Sequence, residues 1–443
     1  MGSLTDRPRA DPPAVWAGPE CSFLTVGTWA CDQLTLTGHD GRADDIDRIA
    51  WLGPRVVRYP VLWGRHRGTD AATDWSWAEH RLGLLDARGI QPLIGLLHHG
   101  FGPGDADPLA RGWPEAFGRY AGSVAARAPE GASYLPVNEP LTTARFGGLY
   151  GWWPPYARDP ETFAGLLLAE CHAYLEAARA IRAVRPAARI VVNEDLGRTY
   201  ASPRCRSIAA RHNERRWLGF DLVTGRVDRS HPGWRALATT PGNRRILDLL
   251  RAEPEPPDVI GVDHYVTSDR YLDDHVDGFP AHVRAFEGDE AYADVELARV
   301  GGFALEGFER AIADAWDRYR RPVALTEVQL AGDPADQACW WLEAWTAATE
   351  AAARGIPTLG VTAWSVFGAY DWGSILRDPR GTYEAGCFDV SADGPPRETP
   401  LAGVVRSTAV DSAPAAGSGV GWWRRDERVL YRPGVDRDLA ASA

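Results

Sequence analysis

The sequence contains no lysine, so arginine supplies all 48 of its Lys and Arg residues. Schiff-base formation, the anchoring of pyridoxal phosphate and phosphate binding by a P-loop all require the lysine amine, so each is excluded. The glycine fingerprint of a dinucleotide-binding fold is also missing. We therefore expect no cofactor.

Positive charge is in short supply, since 60 acidic residues outnumber 48 basic ones and leave a net charge of −12. Binding to a phosphate backbone depends on clustered basic side chains, so this balance argues against a nucleic-acid partner. The expected partner is a small neutral or cationic molecule.

Cysteines and long apolar runs are scarce as well. The six cysteines are scattered without CxxC spacing, which indicates reduced, mostly buried thiols. Residues 1–13 lack the apolar run of a signal peptide, and no later run approaches membrane-spanning length. We therefore expect a soluble, cytoplasmic protein without a membrane partner, whereas its oligomeric state is left open.

Short apolar segments recur along the chain, each followed by a motif-like cluster and then a helical pattern, which is the rhythm of repeated βα units. The predicted strands are Val15–Glu20, Val56–Tyr59, Pro92–Leu97, Tyr134–Val137, Ile190–Asn193, Val259–Val262, Val323–Thr326 and Leu359–Trp364. Eight such units predict an α/β fold, a single (β/α)8 TIM barrel with long βα loops.

The barrel is predicted over residues 1–410, and a linker with a short C-terminal tail over residues 411–443. The chain becomes rich in Ala, Ser, Gly and Pro after Asp411, which is typical of a linker. The tail that begins at Trp422 is too short for a domain, so its aromatic residues either dock on the barrel or contact a partner.

Two of the predicted strands end in a glutamate, Glu139 and Glu327. Parallel strands of one barrel bring their carboxyl ends to the same face, so both side chains are expected in one cleft. Paired carboxyls across a cleft carry out glycoside hydrolysis. Glu139 is the candidate general acid and base, and Glu327 the candidate nucleophile; ordinary surface or salt-bridged glutamates are the alternative.

Residues beside these glutamates supply candidate supporting groups. Asn138 offers an amide for a sugar 2-hydroxyl, although asparagine is also common in turns. Arg58 would hold the nucleophile ionised, or else form a structural ion pair. His98 and His99 follow the third strand and can donate to sugar hydroxyls; without an HxxxH or Cys/His cluster, no metal site is expected.

Further candidates lie at later strand ends. Tyr265 would orient the nucleophile, and Trp364 would stack on the sugar, although many of the 19 tryptophans must be core residues. Asp371 and Trp372 pair a carboxylate with an indole donor, a combination that suits a polyol, with a capped loop as the alternative.

At these motifs the sequence resembles the family 1 glycoside hydrolases, retaining β-glycosidases on a (β/α)8 barrel, from about Val15 to Val405. The motifs are Arg58–Trp63, His98, Asn138–Pro140, Gly261–Tyr265, Thr326–Glu327, Trp364–Ser365 and Gly386–Asp389. The resemblance implies that Glu139 is the acid/base, Glu327 the nucleophile, and Arg58, Asn138 and Tyr265 their supporting residues.

A closer likeness is to family 1-like domains that precede a dTDP-4-dehydrorhamnose reductase-like domain in longer proteins. It is carried by Trp16–Cys21, Thr142–Phe146 and Trp422–Arg425. Because no Rossmann fingerprint follows, a link to deoxysugar metabolism is an association only.

The sequence departs from the family pattern mainly around the sugar pocket. Glu20 and Asp263 stand where the family usually has Gln and Asn. The other departures are His99 for Trp, His264 for Tyr, Asp371 for Glu, and Val328–Gln329 for Asn-Gly. Added carboxylates raise the pKa of neighbouring acids and can pair with an ammonium group, so we expect an unusual glycone, an amino or deoxy sugar.

The leading interpretation is a glycoside hydrolase that cleaves a small β-glycoside by double displacement. A transglycosylase that delivers the glycosyl group to a small-molecule acceptor uses the same residues. A non-catalytic sugar-binding domain is the third possibility, although such a domain has no need for two carboxyls at these strand ends.

Overall fold

Eight parallel strands form a closed barrel in the computed structural model, which describes residues 11–66, 73–104, 106–411 and 419–432. In chain order the barrel strands are β1 Ala14–Ala17, β2 Val56–Pro60, β3 Gln91–His98, β4 Ser133–Asn138, β5 Arg189–Asp195, β6 Val259–Asp263, β7 Val323–Val328 and β8 Thr358–Ala363. Each strand pairs with the next in sequence, and β1 closes the barrel against β8. The predicted TIM barrel is therefore confirmed.

The eight predicted strands match these elements closely, with one informative difference at the first. β1 ends at Ala17, whereas the prediction ran to Glu20. Pro19 has no backbone N–H for a strand ladder, so the chain leaves the sheet before Glu20. The side chain of Glu20 consequently lies in the loop above the barrel rather than on a strand.

Helices follow the strands around the outside, as βα units require. The principal ones are α1 Asp45–Trp51, α2 Ser76–Asp86, α3 Trp113–Arg127, α4 Pro140–Ala144, α5 Pro160–Val184, α6 Leu218–Val223, α7 Pro241–Ala252, α8 Gly307–Tyr319, α9 Pro334–Ala353 and α10 Pro400–Asp411. The other helical segments are Gln33–Leu36, Trp63–His66, Arg206–Arg215, Trp234–Leu237, the π-helix Arg145–Leu149, and single turns at Val276–Gly278, Ala281–Val283, Leu297–Arg299, Trp372–Ser374, Trp422–Arg424 and Asp426–Arg428.

The longest helix, α5, shows why these segments are helical. Its N-cap Asp159 accepts a hydrogen bond from the Thr162 amide at 2.8 Å, and Pro160 occupies the first position, where no N–H is needed. Its leucine- and alanine-rich face is buried against the barrel. The helix ends at Val184, two residues before Pro186.

The floor of the barrel is a single apolar layer to which every strand contributes at least one residue. Its members are Ala14, Trp16, Val56, Leu93, Leu135, Val191, Val259, Ala324 and Leu359, with two from β1. This packed layer closes the amino-terminal end of the barrel, so a ligand can enter only from the carboxyl-terminal end.

The loops carry additional small sheets. A four-stranded sheet combines Thr199–Ala201, Arg270–Asp273, Arg284–Glu287 and Glu290–Glu296, and two-stranded sheets pair Phe23–Val26 with Trp29–Asp32, Ala369–Tyr370 with Tyr383–Glu384, and Phe388–Asp389 with Arg397–Glu398. These long loops follow the barrel strands, as predicted.

The C-terminal segment packs on the barrel. Trp423 is buried, its ring meets Trp340 of α9 edge-on at 4.9 Å, and its indole N–H donates to Glu343 at 2.8 Å. Of the two possibilities for the tail, docking is the one observed. The predicted linker falls largely on residues 412–418, outside the described residues, and the domain boundary at 410 stays a prediction.

Within the described ranges, no helix combines the length and apolar character needed to cross a bilayer. All six cysteines are free, and five of them are buried.

Candidate active site

Strand register brings the predicted site residues together at the carboxyl-terminal end of the barrel. His98 at the end of β3 pairs with Asn138 at the end of β4, and Asp263 at the end of β6 pairs with Glu327 near the end of β7. Glu139 follows β4 directly. Residues far apart in sequence therefore converge because their strands are parallel and in register.

Glu327 is held by two donors, one on each carboxylate oxygen. Arg58 of β2 donates to Oε1 at 2.6 Å, and the Tyr265 hydroxyl donates to Oε2. Both Arg58 and Glu327 are buried, at 2% and 4% exposure. These two contacts favour the ionised form of the Glu327 carboxylate and fix its orientation.

Glu139 has the opposite surroundings. Its backbone is left-handed, with φ of 44°, and its side chain is only 5% exposed. Oε1 has no hydrogen-bond partner among the described residues, and Oε2 lies 3.8 Å from His99 Nε2. Burial, followed by the charges of Asp263 and Glu327, raises the pKa of Glu139 well above its ordinary value. Such a carboxyl retains its proton and can act as an acid.

The carboxyl group of Asp263 lies beside those of Glu139 and Glu327. Carboxylate oxygens of Glu139, Asp263 and Glu327 all lie within 4.8 Å of one another. Asp263 accepts hydrogen bonds from Thr326 Oγ1 at 2.6 Å and Asn193 Nδ2 at 2.5 Å. Its own pKa is raised, with burial as the largest cause.

The shared proton of this group belongs on Glu139. Burial and then Asp263 raise the pKa of Glu327, while Arg58 and Tyr265 act to lower it. Glu139 has no arginine in direct contact among the described residues, and its pKa is raised well above its ordinary value. Three close carboxyls cannot all ionise beside one guanidinium, so the proton resides where the anion is least stabilised.

Asn138 connects the two halves of the site. Its Oδ1 accepts from Arg58 Nη2 at 2.5 Å and from Asn193 Nδ2 at 2.6 Å, and its Nδ2 lies 3.3 Å from Nε2 of both His98 and His99. The amide is therefore oriented by four neighbours. Its predicted contact with a sugar 2-hydroxyl stays a prediction.

His98 and His99 are both buried and uncharged at neutral pH. Burial, followed by the proximity of His99 and Arg58, lowers the pKa of His98 well below its usual value, and burial followed by Arg58 lowers the pKa of His99 to about 3. His99 Nδ1 lies 3.1 Å from the hydroxyl of Thr143. Neutral imidazoles can donate to or accept from sugar hydroxyls without adding charge.

Glu20 and Trp364 form a second pair beside Arg58. The Trp364 indole donates to Glu20 Oε2 at 2.9 Å, while the amide and hydroxyl of Ser22 donate to Oε1. The Arg58 guanidinium lies 4.2 Å from the Trp364 ring centre. Glu20 is thus a buried carboxyl whose two oxygens already have partners, and its expected place on the glycone side and its role toward a sugar remain predictions.

Asp371 and Trp372 lie in the loop after β8 and behave differently from each other. Asp371 has φ of 59° and accepts the backbone amides of Gly381 and Thr382 at 3.0 and 2.8 Å, so it closes its own loop. The Trp372 ring packs edge-on against His99 at 5.7 Å, which places it at the site. These contacts of Asp371 agree with the capped-loop alternative. The binding of sugar hydroxyls by Asp371 stays a prediction.

Sequence reasoning missed several residues that build the site. Asn193 and Thr326 position Asp263, Ser22 holds Glu20, and Trp153 packs on His99 at 4.8 Å. Asn193 and Thr326 each stand at the end of a predicted strand, which is a signal that could have identified them. Ser22 and Trp153 lie in loops, where the sequence has no comparable positional signal.

Two groups of side chains have the donors for a metal ion. The three carboxylates of Glu139, Asp263 and Glu327 are hard oxygen ligands, but Arg58 already neutralises one of them and Asp263 is occupied by Thr326 and Asn193. The second group, residues 273–275, lies at the small loop sheet and includes the exposed His275. The expectation of no metal remains a prediction.

No protein-family model and no curated protein match the chain. Solved structures do. A family 1 β-glucosidase from Thermotoga maritima, in complex with isofagomine lactam, aligns at a TM-score of 0.70 and 17% identity, over 91% of this chain and 99% of that one. A β-glycosidase from Pyrococcus horikoshii gives 0.65 and 16%, over 91% and 95%. The virulence factor SghA, bound to its substrate analogue salicin, gives 0.67 and 18%, over 85% and 86%. At these identities the likeness establishes a shared fold.

Proposed function

We propose that this protein is a retaining β-glycosidase of the family 1 type, which hydrolyses a small β-glycoside by double displacement. The observation that carries the proposal is the contrast between its two glutamates. Glu327 is fixed by Arg58 and Tyr265, whereas Glu139, close by, has a raised pKa and a buried oxygen without a hydrogen-bond partner in the described part of the chain. Two carboxyls at this short separation, in opposite protonation states, suit a retaining rather than an inverting mechanism.

In the first step, the ionised Glu327 attacks the anomeric carbon and forms a glycosyl ester. The bond to the leaving oxygen breaks, and Glu139 gives its proton to that oxygen, which departs as an alcohol. Arg58 remains beside the ester oxygen, and Tyr265 keeps the carboxyl oriented.

In the second step, the ionised Glu139 takes a proton from water, whose oxygen attacks the anomeric carbon. The ester bond breaks, and Glu327 regains its charge against Arg58. Loss of the negative charge on Glu327 during the ester stage favours ionisation of Glu139, because Glu327 is one of the charges that raise its pKa. Glu139 therefore changes from acid to base between the two steps without an additional group.

We further propose an amino or deoxy sugar as the glycone. Glu20, Asp263 and the two catalytic glutamates are buried around one guanidinium, Arg58, and both neighbouring histidines are uncharged at neutral pH. A substrate ammonium group would offset part of this negative charge. A neutral deoxy sugar instead lacks one hydroxyl group, so the pocket would have to supply one hydrogen-bond donor fewer.

A panel of 4-nitrophenyl β-glycosides, including amino and deoxy sugars, tests both proposals. We expect turnover by the wild type and a loss of at least about 10³-fold in kcat for Glu327→Gln, because the nucleophile is removed. The first product seen by proton NMR should have the β configuration. Equal rates for the two proteins would mean that this site is not responsible, and a preference for β-glucoside over every amino and deoxy sugar would refute the glycone proposal.

The same panel, repeated with added alcohols, separates hydrolysis from glycosyl transfer. Transfer products that dominate at low acceptor concentration would identify a transglycosylase, which uses the same two glutamates.

A further inference from the structure

The turn that carries Glu139 is strained and has no cap of its own. Glu139 is the N-cap of α4 with φ of 44°, a region that residues other than glycine seldom occupy, and its side chain makes no capping hydrogen bond. The first amides of a helix need partners from outside the helix. Leu141, in the first turn of α4, finds one in a buried residue of the neighbouring strand.

That residue is Glu194 of β5. Its Oε1 accepts the Leu141 amide at 2.8 Å, and the side chain is fully buried. Burial raises the pKa of Glu194 to about 8, while the Leu141 amide, Arg145 and the Thr142 amide act in the opposite direction. A buried carboxyl costs free energy unless its contacts repay it, and the principal contact here is with the turn behind Glu139.

The surrounding chain provides space for this contact. Successive residues of a strand point to opposite sides, so Asn193 faces the catalytic carboxyls while Glu194 faces the helices. Gly219 of α6 lies directly against it, since a Cβ there would be 1.9 Å from Glu194 Oε1. Any larger residue at 219 would displace the carboxylate.

We propose that Glu194 is a positioning residue for the acid/base: its carboxylate anchors the strained turn and so fixes Glu139 beside the leaving oxygen. This inference rests on the proposed function. Without the anchor, the turn relaxes toward an ordinary backbone conformation, and the Glu139 carboxyl moves away from the proton-transfer geometry. Glu194 itself touches neither substrate nor the reacting atoms.

The acid/base matters most when the leaving group is a poor one, and this gives a selective test. Glu194→Met keeps the length of the side chain but removes the acceptor, whereas Glu194→Gln keeps Oε1. For Glu194→Met we expect kcat/KM to fall by about 10–100-fold on an alkyl glycoside, and by less than about 3-fold on a dinitrophenyl glycoside that needs no proton. Glu194→Gln should stay within about 3-fold of the wild type on both.

Two further variants guard against a general structural effect. Glu170→Gln alters another buried carboxyl, on α5, whose oxygens have no partner among the described residues, so both substrates should be cleaved at the wild-type rate. Gly219→Ala pushes the Glu194 carboxylate aside without removing it and should reproduce the selective loss. Equal losses on both substrates in Glu194→Met, or a selective loss in Glu170→Gln, would overturn the proposal.

Amide hydrogen exchange tests the anchor independently of activity. In peptides covering residues 137–149, Glu194→Met should speed exchange at Leu141 and Thr142 by at least about 10-fold, while Glu194→Gln should not. Unchanged exchange in Glu194→Met overturns the inference even if the protein proves to be a glycosidase. Faster exchange in a protein that cleaves no glycoside would instead leave the anchor intact and refute the proposed function.

Discussion

At the scale of single residues, two identical side chains acquire different chemistry from their contacts. Glu327 has a cation and a hydroxyl on its oxygens, while Glu139 has a buried oxygen without a described partner. Burial raises the pKa of both, but only Glu327 has direct stabilisation of its anion. The assignment of base and acid follows from this difference.

Replacing Arg58 by methionine should weaken the nucleophile specifically. Arg58 lowers the pKa of Glu327, so its loss raises that pKa and moves the acidic limb of the kcat/KM profile to higher pH. We expect kcat/KM at pH 7 to fall by at least about 100-fold.

The matched control is Arg65→Met, which removes another arginine, from the loop after β2, whose partners Asp32 and Asp40 lie outside the catalytic group. Its pH profile should coincide with that of the wild type. Breaking a buried pair costs about 3–5 kcal/mol, so the folded state of Arg58→Met is checked by circular dichroism before its kinetics are interpreted. An unshifted acidic limb in folded Arg58→Met would contradict the role given to Arg58.

Asp263→Asn should shift both limbs of the profile to lower pH. The charge of Asp263 raises the pKa of both Glu139 and Glu327, so its removal lets each ionise more easily. Glu20→Gln provides the comparison, because Glu20 is among the charges that raise the pKa of Glu327. We expect Glu20→Gln to move the acidic limb alone. Equal shifts of both limbs in the two variants would show that Asp263 does not act on Glu139 more strongly than Glu20 does.

How far the site could be predicted depends on where a residue stands. Glu139, Glu327 and Arg58 lie at predicted strand ends, and barrel geometry makes that position meaningful without a structure. The contacts of Asp371 with its own loop, and of Glu194 with the turn after Glu139, arise from tertiary packing. No spacing in the sequence encodes those contacts.

At the scale of elements, the barrel was predictable because its strands are short apolar runs buried on both faces. All eight were located, and the largest error was at the end of β1, where Pro19 ends the pairing; the other strand ends differ by at most two residues. The four-stranded loop sheet was not predicted. Two of its strands, Thr199–Ala201 and Arg284–Glu287, have only three and four residues, which is too short for a periodic signal.

The C-terminal segment contacts both α9 and the chain that follows the four-stranded loop sheet. Trp423 is buried against Trp340, Arg424 pairs with Glu343, and Tyr431 bridges to Val300. The aromatic pair Trp422 and Trp423 is visible in the sequence, but the surface that receives it is not.

Trp423→Ala should therefore destabilise the fold. Truncating a buried tryptophan lowers the free energy of unfolding by about 3–5 kcal/mol. Trp422→Ala is the matched comparison, since this ring is half-buried beneath the guanidinium of Arg299 and should cost about 0.5–1 kcal/mol. Urea denaturation followed by circular dichroism measures both, and equal losses for the two variants would mean that the segment is not docked through Trp423.

At the scale of the whole molecule, several carboxyl groups of this acidic protein are buried in its interior. Glu170 and Glu194 are buried behind the catalytic group, and burial raises the pKa of both. A carboxyl whose pKa is raised on folding stabilises the folded state at low pH. That contribution is lost as the pH rises toward the folded-state pKa.

Glu170→Gln should accordingly gain stability relative to the wild type as the pH increases. The raised pKa of Glu170 makes the folded protein bind a proton that the unfolded chain releases above about pH 4.3, with a slope of up to about 1.4 kcal/mol per pH unit. Urea midpoints measured from pH 5 to 8 should diverge in favour of the variant. Glu115→Gln, at an exposed site on α3, should give curves parallel to the wild type, and parallel curves for Glu170→Gln would refute the argument.

The central claim is that Glu327 forms a covalent bond to the glycone, and trapping that bond tests it most directly. The protein is incubated with a panel of 2-deoxy-2-fluoro β-glycosides that carry good leaving groups, then digested and mapped by mass spectrometry. We predict one glycosyl adduct per chain, on Glu327, and none in Glu327→Gln. An adduct on Glu139 or Asp263, or turnover of the panel without any adduct, would contradict the account.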